Sequence, residues 1–167
     1  THGFDDSGKH YDKNGNLEDW WTKEDSSKFK KLTKNIVDQF NNYEVLPKLS
    51  VNGELVLGEA IADLGGLSIA YDGYKISLQE EGIDIKDSQT NQSEFTYEQK
   101  FFIGFAQLWN GIRREESLRT MVKIDPHPPG EFRTIGTLSN MESFYSAFDV
   151  KDGDGMFVNE TKRSKIW

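Results

Sequence analysis

The stretch Leu57-Gly58-Glu59-Ala60-Ile61-Ala62-Asp63-Leu64-Gly65-Gly66-Leu67 decides how the rest of the chain is read, because it sets two acids, Glu59 and Asp63, one helical turn apart. Taken as the start of a helix over Leu57 to Leu78, it puts Ser68, Asp72, Lys75 and Gln79 on one stripe. Leu64, Leu67, Tyr71, Tyr74 and Leu78 fall on the next. Glu59 and Asp63 lie on neither. They share a face with Ala62, Gly66, Ala70 and Gly73, small residues that let another backbone come close. Carboxylates on a closely packed face are costly unless a cation, a histidine or a hydrogen-bond donor meets them. Acids in a first helical turn also serve the helix dipole, which accounts for Glu59 tolerably and for Asp63 poorly.

A chain of 167 residues is long enough for one domain with a real core, and 29% charged residues with a mean hydropathy of -0.69 mark it as soluble. No run approaches the length of a membrane span. The opening Thr1-His2-Gly3-Phe4-Asp5-Asp6 has neither the basic start nor the apolar centre of a signal peptide. It also lacks an initiator Met, so an internal starting point is expected. A net charge of -8 with scattered Lys and Arg argues against nucleic acid as a partner. The absence of cysteine excludes disulfides and cysteine-bound zinc without fixing a compartment. Aromatic residues at 13% promise a well-filled core.

Along the chain, the pattern predicts a mainly helical single unit. Thr1-His2-Gly3 reads as the last turn of a helix, with Gly3 as its left-handed terminator. Asn14-Gly15 is a turn between Tyr11 and Leu17. Asp12, Asn14 and Asn16 alternate like a calcium loop, yet Leu17 stands where its glycine belongs; Asp152-Gly153-Asp154-Gly155 fails on Phe157 in the same way. Ser26 or Ser27 caps a helix bearing Phe29, Leu32, Ile36, Phe40 and Tyr43, bounded by Pro47. Val51-Asn52-Gly53-Glu54 turns into the central helix, which ends near Glu81-Gly82 before an exposed polar loop from Ile83 to Glu94. Thr96 with Gln99 forms a capping box ahead of Phe101 to Trp109, a segment apolar nearly all round and so expected to be buried on most sides. A helix fits Glu115 to Val122, ended by Pro126. Ser139-x-x-Glu142 opens a last one with Met141, Phe144, Tyr145 and Phe148 inward, and the terminal Trp167 is expected to pack.

Of three histidines, His2 carries the most information, because Thr1-His2 suits the end of the zinc motif H-E-x-x-H. Glu59 on its close-packed face then supplies the third protein ligand that such a site needs, with the fourth position left to water. A metzincin continuation is excluded, since Asp5 and Gly8 stand where that class has Gly and His. His10 reads as a surface residue, and His127, between Pro126 and Pro128, as a loop histidine fixed by its neighbours.

Several motifs occur in one order: Thr1-His2-Gly3-Phe4-Asp5-Asp6, Asp19-Trp20-Trp21, Gly58 to Gly66 as G-E-x-I-A-D-x-G-G, Phe101 to Trp109 as F-F-x-x-F-A-Q-x-W, and His127 to Leu138 as H-x-P-G-x-F-R-x-x-G-x-L. Together they resemble the C-terminal part of the catalytic domain of the neprilysin family of zinc endopeptidases, over nearly the whole chain. The resemblance implies a mainly α, multi-helical portion of a thermolysin-like (gluzincin) catalytic domain spanning residues 1–167 and cut within the H-E-x-x-H motif. It implies one zinc ion as cofactor, with His2 and Glu59 as ligands and Asp63 orienting a ligand histidine. It implies that His127 stabilises the oxyanion, that Arg133 holds a substrate carbonyl, and that Leu108 and Trp109 wall the pocket for the residue after the cut bond.

Three departures stand out. The H-E half of the motif lies outside the chain, Ala60 replaces an Asn that usually follows the ligand glutamate, and Ser164 stands where animal relatives have Cys. The last fits a bacterial-type member, cytoplasmic or exported. The partners implied are short peptide substrates and the remaining N-terminal part of the same protein, whose absence would expose part of the Leu57 to Leu78 surface and favour self-association. Two other readings are a noncatalytic helical module on the same scaffold and a calcium-stabilised domain built on Asp12, Asn14 and Asn16. The isolated chain is expected to be inactive.

Overall fold

The central helix, α2, runs Leu57–Glu80 and stops at Glu81, followed by Gly82 at φ +72°. The helix thus ends near Glu81-Gly82 as expected, and it does so on a left-handed glycine. In the computed structural model, which describes residues 2–88 and 94–166, the other helices are arranged about it. They are α1 (Lys23–Asn41), α3 (Tyr97–Leu108), α4 (Glu115–Ile124), α5 (Gly130–Leu138) and α6 (Glu142–Phe148). A small antiparallel hairpin, β1 (Glu44–Leu46) and β2 (Leu49–Ser50), follows α1, and short 3-10 turns cover His2–Phe4, Gly8–His10 and Glu160–Lys162. Thr1, part of the expected Ile83 to Glu94 loop, and Trp167 lie outside the described residues.

The inward stripe of α2 behaves as its spacing requires: Leu64, Leu67, Tyr71 and Leu78 are buried. Helices α1 and α5 pack on α2, and α3 packs on α5 and α6. The α1–α5 approach depends on Gly136, where a Cβ would come within 2.4 Å of the Phe40 ring. On the other side Phe102 stacks on Tyr71 at 5.5 Å and meets Phe144 edge-on at 5.6 Å. Phe102→Ala should therefore cost about 3–5 kcal/mol, the range for emptying a buried aromatic site, whereas half-buried Phe101→Ala should cost clearly less. Chemical denaturation, with equal slopes and different midpoints, measures both. Equal losses would mean that the α3–α6 contact is not centred on Phe102.

Several expectations from sequence are corrected. Helix α1 starts earlier, capped by Thr22, whose hydroxyl oxygen accepts the Asp25 amide at 3.0 Å; neither Ser26 nor Ser27 caps it. It ends at Asn41, so Tyr43 lies beyond it and Pro47 sits in the hairpin turn with Lys48 at φ +65°. Helix α6 has Met141 at its cap, while Ser139 closes α5 and accepts the Tyr145 hydroxyl on its carbonyl at 2.9 Å. Helix α3 does have the capping box, but only one side is covered: Glu98 and Phe102 are buried and Leu108 is 74% exposed. Gly3 belongs to a 3-10 turn and is not left-handed. The Asp12 carboxylate is spent on the amides of Asn14 and Asn16, both at 2.8 Å. The described part of the expected Ile83 to Glu94 loop, residues 83–88 and 94, is irregular and mostly exposed as expected, with Lys86 pairing there with the buried Glu98 carboxylate, which also takes the Tyr71 hydroxyl. Finally, the small-residue face of α2 is tightly packed only in its first turn, where a Cβ on Gly58 would lie 3.0 Å from Asp6 Oδ1; Ala70 and Gly73 are exposed.

Candidate metal centre

The first two turns of α2 present Glu59 and Asp63 toward the His2–Phe4 turn on one side and toward α5 on the other. Both are nearly covered, with side chains 14% and 11% exposed. Glu59 Oε1 lies 3.2 Å from His2 Nε2 and 3.5 Å from His127 Nε2, and Glu59 Oε2 lies 3.2 Å from Arg133 Nη2. Arg133 Nε and Nη2 donate to the two Asp63 oxygens, each at 2.6 Å, and the guanidinium lies 3.9 Å above the Trp109 ring. Burial works against the Arg133 charge, but the Asp63 bonds outweigh it and leave its pKa raised. Of the five residues expected at the site, His2, His127 and Arg133 thus meet around the Glu59 carboxylate, and Asp63 joins them through Arg133, which it engages with both oxygens.

Two carboxylates that the sequence reading left aside hold the histidines. Asp5, 5% exposed, accepts the Ser7 and Gly8 amides on Oδ1 at 2.9 and 2.7 Å and meets His2 Nδ1 with Oδ2 at 2.8 Å. Burial alone would raise its pKa; the Gly8 amide, the His2 ring and the Ser7 amide together reverse the shift and leave it lowered. An ionised Asp5 favours a proton on His2 Nδ1, which leaves Nε2, the atom facing Glu59, as the one able to bind a metal. Asp125 does the same for His127, accepting its amide at 2.9 Å and meeting Nδ1 at 2.7 Å, and these two bonds, the amide first, hold its carboxyl below the ordinary value. Each acid stands two or three residues from its histidine, a spacing that signals an Asx-type local bond.

Zinc bonds of about 2.0–2.2 Å at a tetrahedral angle set two ligand atoms about 3.3–3.5 Å apart. The 3.2 Å between His2 Nε2 and Glu59 Oε1 falls just short of that distance, and the donor set of imidazole, carboxylate and a carboxylate behind the imidazole is one that zinc takes. Among the described residues no group of three or more acids and histidines is arranged around a metal position, so the fit extends to two ligands. His10 is exposed and takes no part.

The site thus holds a histidine and a glutamate close to zinc spacing, with an arginine clamped beside them, on a helical scaffold. The chain belongs to Peptidase family M13, whose family profile matches residues 1–164. It is 41% identical over 167 residues to an endothelin-converting enzyme homolog of Locusta migratoria and 37% identical over 169 residues to human neprilysin, covering 100% of this chain and 22% of each relative. The crystal structure of Mycobacterium tuberculosis zinc metalloprotease Zmp1 with an inhibitor superposes with a TM-score of 0.88 at 38% identity, over 99% of this chain and 25% of that one. The chain therefore spans about a fifth to a quarter of the length of these proteins.

Proposed function

We propose that this chain forms the C-terminal part of the catalytic domain of a zinc-dependent endopeptidase acting on short peptides. The observation that carries the proposal is the 3.2 Å spacing of His2 Nε2 and Glu59 Oε1, with Asp5 against the other ring nitrogen at 2.8 Å. The names of its relatives, endothelin-converting enzyme and neprilysin, and the zinc metalloprotease structure support the same class. Zinc held there would supply the Lewis acid that polarises a water and the peptide carbonyl. Arg133, fixed by Asp63, keeps Nη1 without a hydrogen bond among the described residues and presents it to a substrate carbonyl. His127, when protonated, offers Nε2–H where oxyanion charge develops, with Asp125 aiming the ring. Leu108 and Trp109 line the adjoining pocket. The remaining ligand and the proton acceptor come, in this reading, from the preceding polypeptide. The uncovered α2 surface with Ile69 (66% exposed), Ala70, Gly73 and Ile76 (57% exposed) is where that polypeptide would rest. A longer polypeptide containing this sequence should cleave peptides in a chelator-sensitive, zinc-restored manner; a zinc-loaded protein without turnover would overturn the proposal.

By itself the 167-residue chain should hydrolyse no peptide and bind zinc weakly. Two ligands are in place, His2 sits one residue from the chain end with its side chain 60% exposed, and no carboxylate is assigned to take the water's proton. Calorimetric zinc titration and a peptide-cleavage assay with a chelator control measure this. Submicromolar affinity by a monomer would show that two ligands are not the whole set.

A further inference from the structure

A cleft of about 490 Å³ opens directly beside Trp109, His127 and Arg133 and runs under α4. Its inner walls are apolar, from Val45, Leu118, Met121 and Phe132, while its rim carries Asn110, Arg113, Asp125 and Glu131. The hydrogen-bonding capacity of that rim is unbalanced toward donors. Asp125 is already engaged twice by His127, and Arg113 adds only a weaker, longer-range attraction to it. Among the described residues neither the Asn110 side chain nor the Arg113 guanidinium has a hydrogen bond or an ion pair, and Trp109 Nε1 is a buried donor with no partner. Besides Asp125, Glu131 is the other acid at the rim, in an exposed position in the first turn of α5. A planar guanidinium next to a side-chain amide, above an apolar floor and one step from the proposed reacting centre, suits a carboxylate on an otherwise apolar peptide segment.

We propose that Arg113, assisted by Asn110, is a specificity-determining residue that binds a carboxylate of the substrate on the side of the cleft walled by Trp109. This rests on the peptidase reading for what the ligand is, though not for whether the cleft binds carboxylates. A carboxylate can come from a free C-terminus or from an acidic side chain, and the test separates the two. Three short apolar peptides are compared: one with a free C-terminus, one amidated, and one amidated but carrying a Glu. Binding to the 167-residue chain is followed by tryptophan fluorescence, and cleavage is followed in a longer polypeptide containing it. The expected result is about tenfold tighter binding of at least one carboxylate peptide than of the neutral amide, falling to parity in Arg113→Gln and persisting in Arg119→Gln, a control on the exposed face of α4. Whichever carboxylate peptide shows the preference identifies the source. Equal binding of all three peptides, or a preference that survives Arg113→Gln, overturns the inference. Preferential binding without any zinc-dependent cleavage would instead leave it standing and remove the peptidase reading.

Discussion

Glu59→Ala should leave a longer polypeptide containing this chain unable to retain zinc, while Asp63→Ala should weaken retention by about 10- to 100-fold, as loss of a supporting carboxylate does. The difference follows from what each acid touches. Glu59 Oε1 lies 3.2 Å from His2 Nε2, close to the separation of two zinc ligands, so in the proposed site its removal would delete a metal bond. Asp63 spends both oxygens on Arg133, and Arg133 in turn touches Glu59 Oε2 at 3.2 Å. Its effect on the metal therefore passes through the position of the Glu59 carboxylate. Metal analysis after dialysis against a weak chelator measures both variants. If Asp63→Ala lost more zinc than Glu59→Ala, the two acids would have exchanged roles.

The geometry around Glu59 was legible in the sequence because helical spacing alone sets Glu59 and Asp63 on one face, and that face is polar at a cost something must offset. What offsets it could not be read from spacing. Arg133 lies seventy residues away on α5, and only the packing of α5 on α2, with α1 closing on α5 where Gly136 meets Phe40, brings it there. Asp5 and Asp125 were within reach of local reasoning, as short-range carboxylate partners of His2 and His127, but an acid two or three residues from a histidine is common enough to carry little weight until the bond is seen. The cap of α1 shows the opposite failure. Ser26, Ser27 and Thr22 are all capable caps, and Thr22 prevails because Asp25 lies three residues on, where it receives the threonine hydroxyl and returns its own amide. Helix α3 misled for a different reason: its apolar residues were read as a demand for burial, yet Leu108 and the flank near Gly104 are open. An exposed apolar surface of that kind looks the same in sequence as a core.

Arg133→Ala should cost about 3–5 kcal/mol of stability as well as activity, because it strips the partner from Asp63, a carboxylate only 11% exposed, and from half of Glu59. It also removes the guanidinium stacked on Trp109, so the lost contact is not purely ionic. A residue whose only task was to hold a substrate carbonyl would lower kcat/KM and leave the unfolding midpoint where it was. The double variant Arg133→Ala/Asp63→Ala separates the two contributions. Removing the stranded acid should restore a large part of the stability, since the penalty of the single change lies mainly in the uncompensated carboxylate, while activity should stay lost. Urea unfolding of the 167-residue chain gives the stability arm, and hydrolysis by a longer polypeptide gives the other. Additive destabilisation in the double variant would show that Asp63 and Arg133 are not coupled, and Arg133 would then return to substrate binding alone.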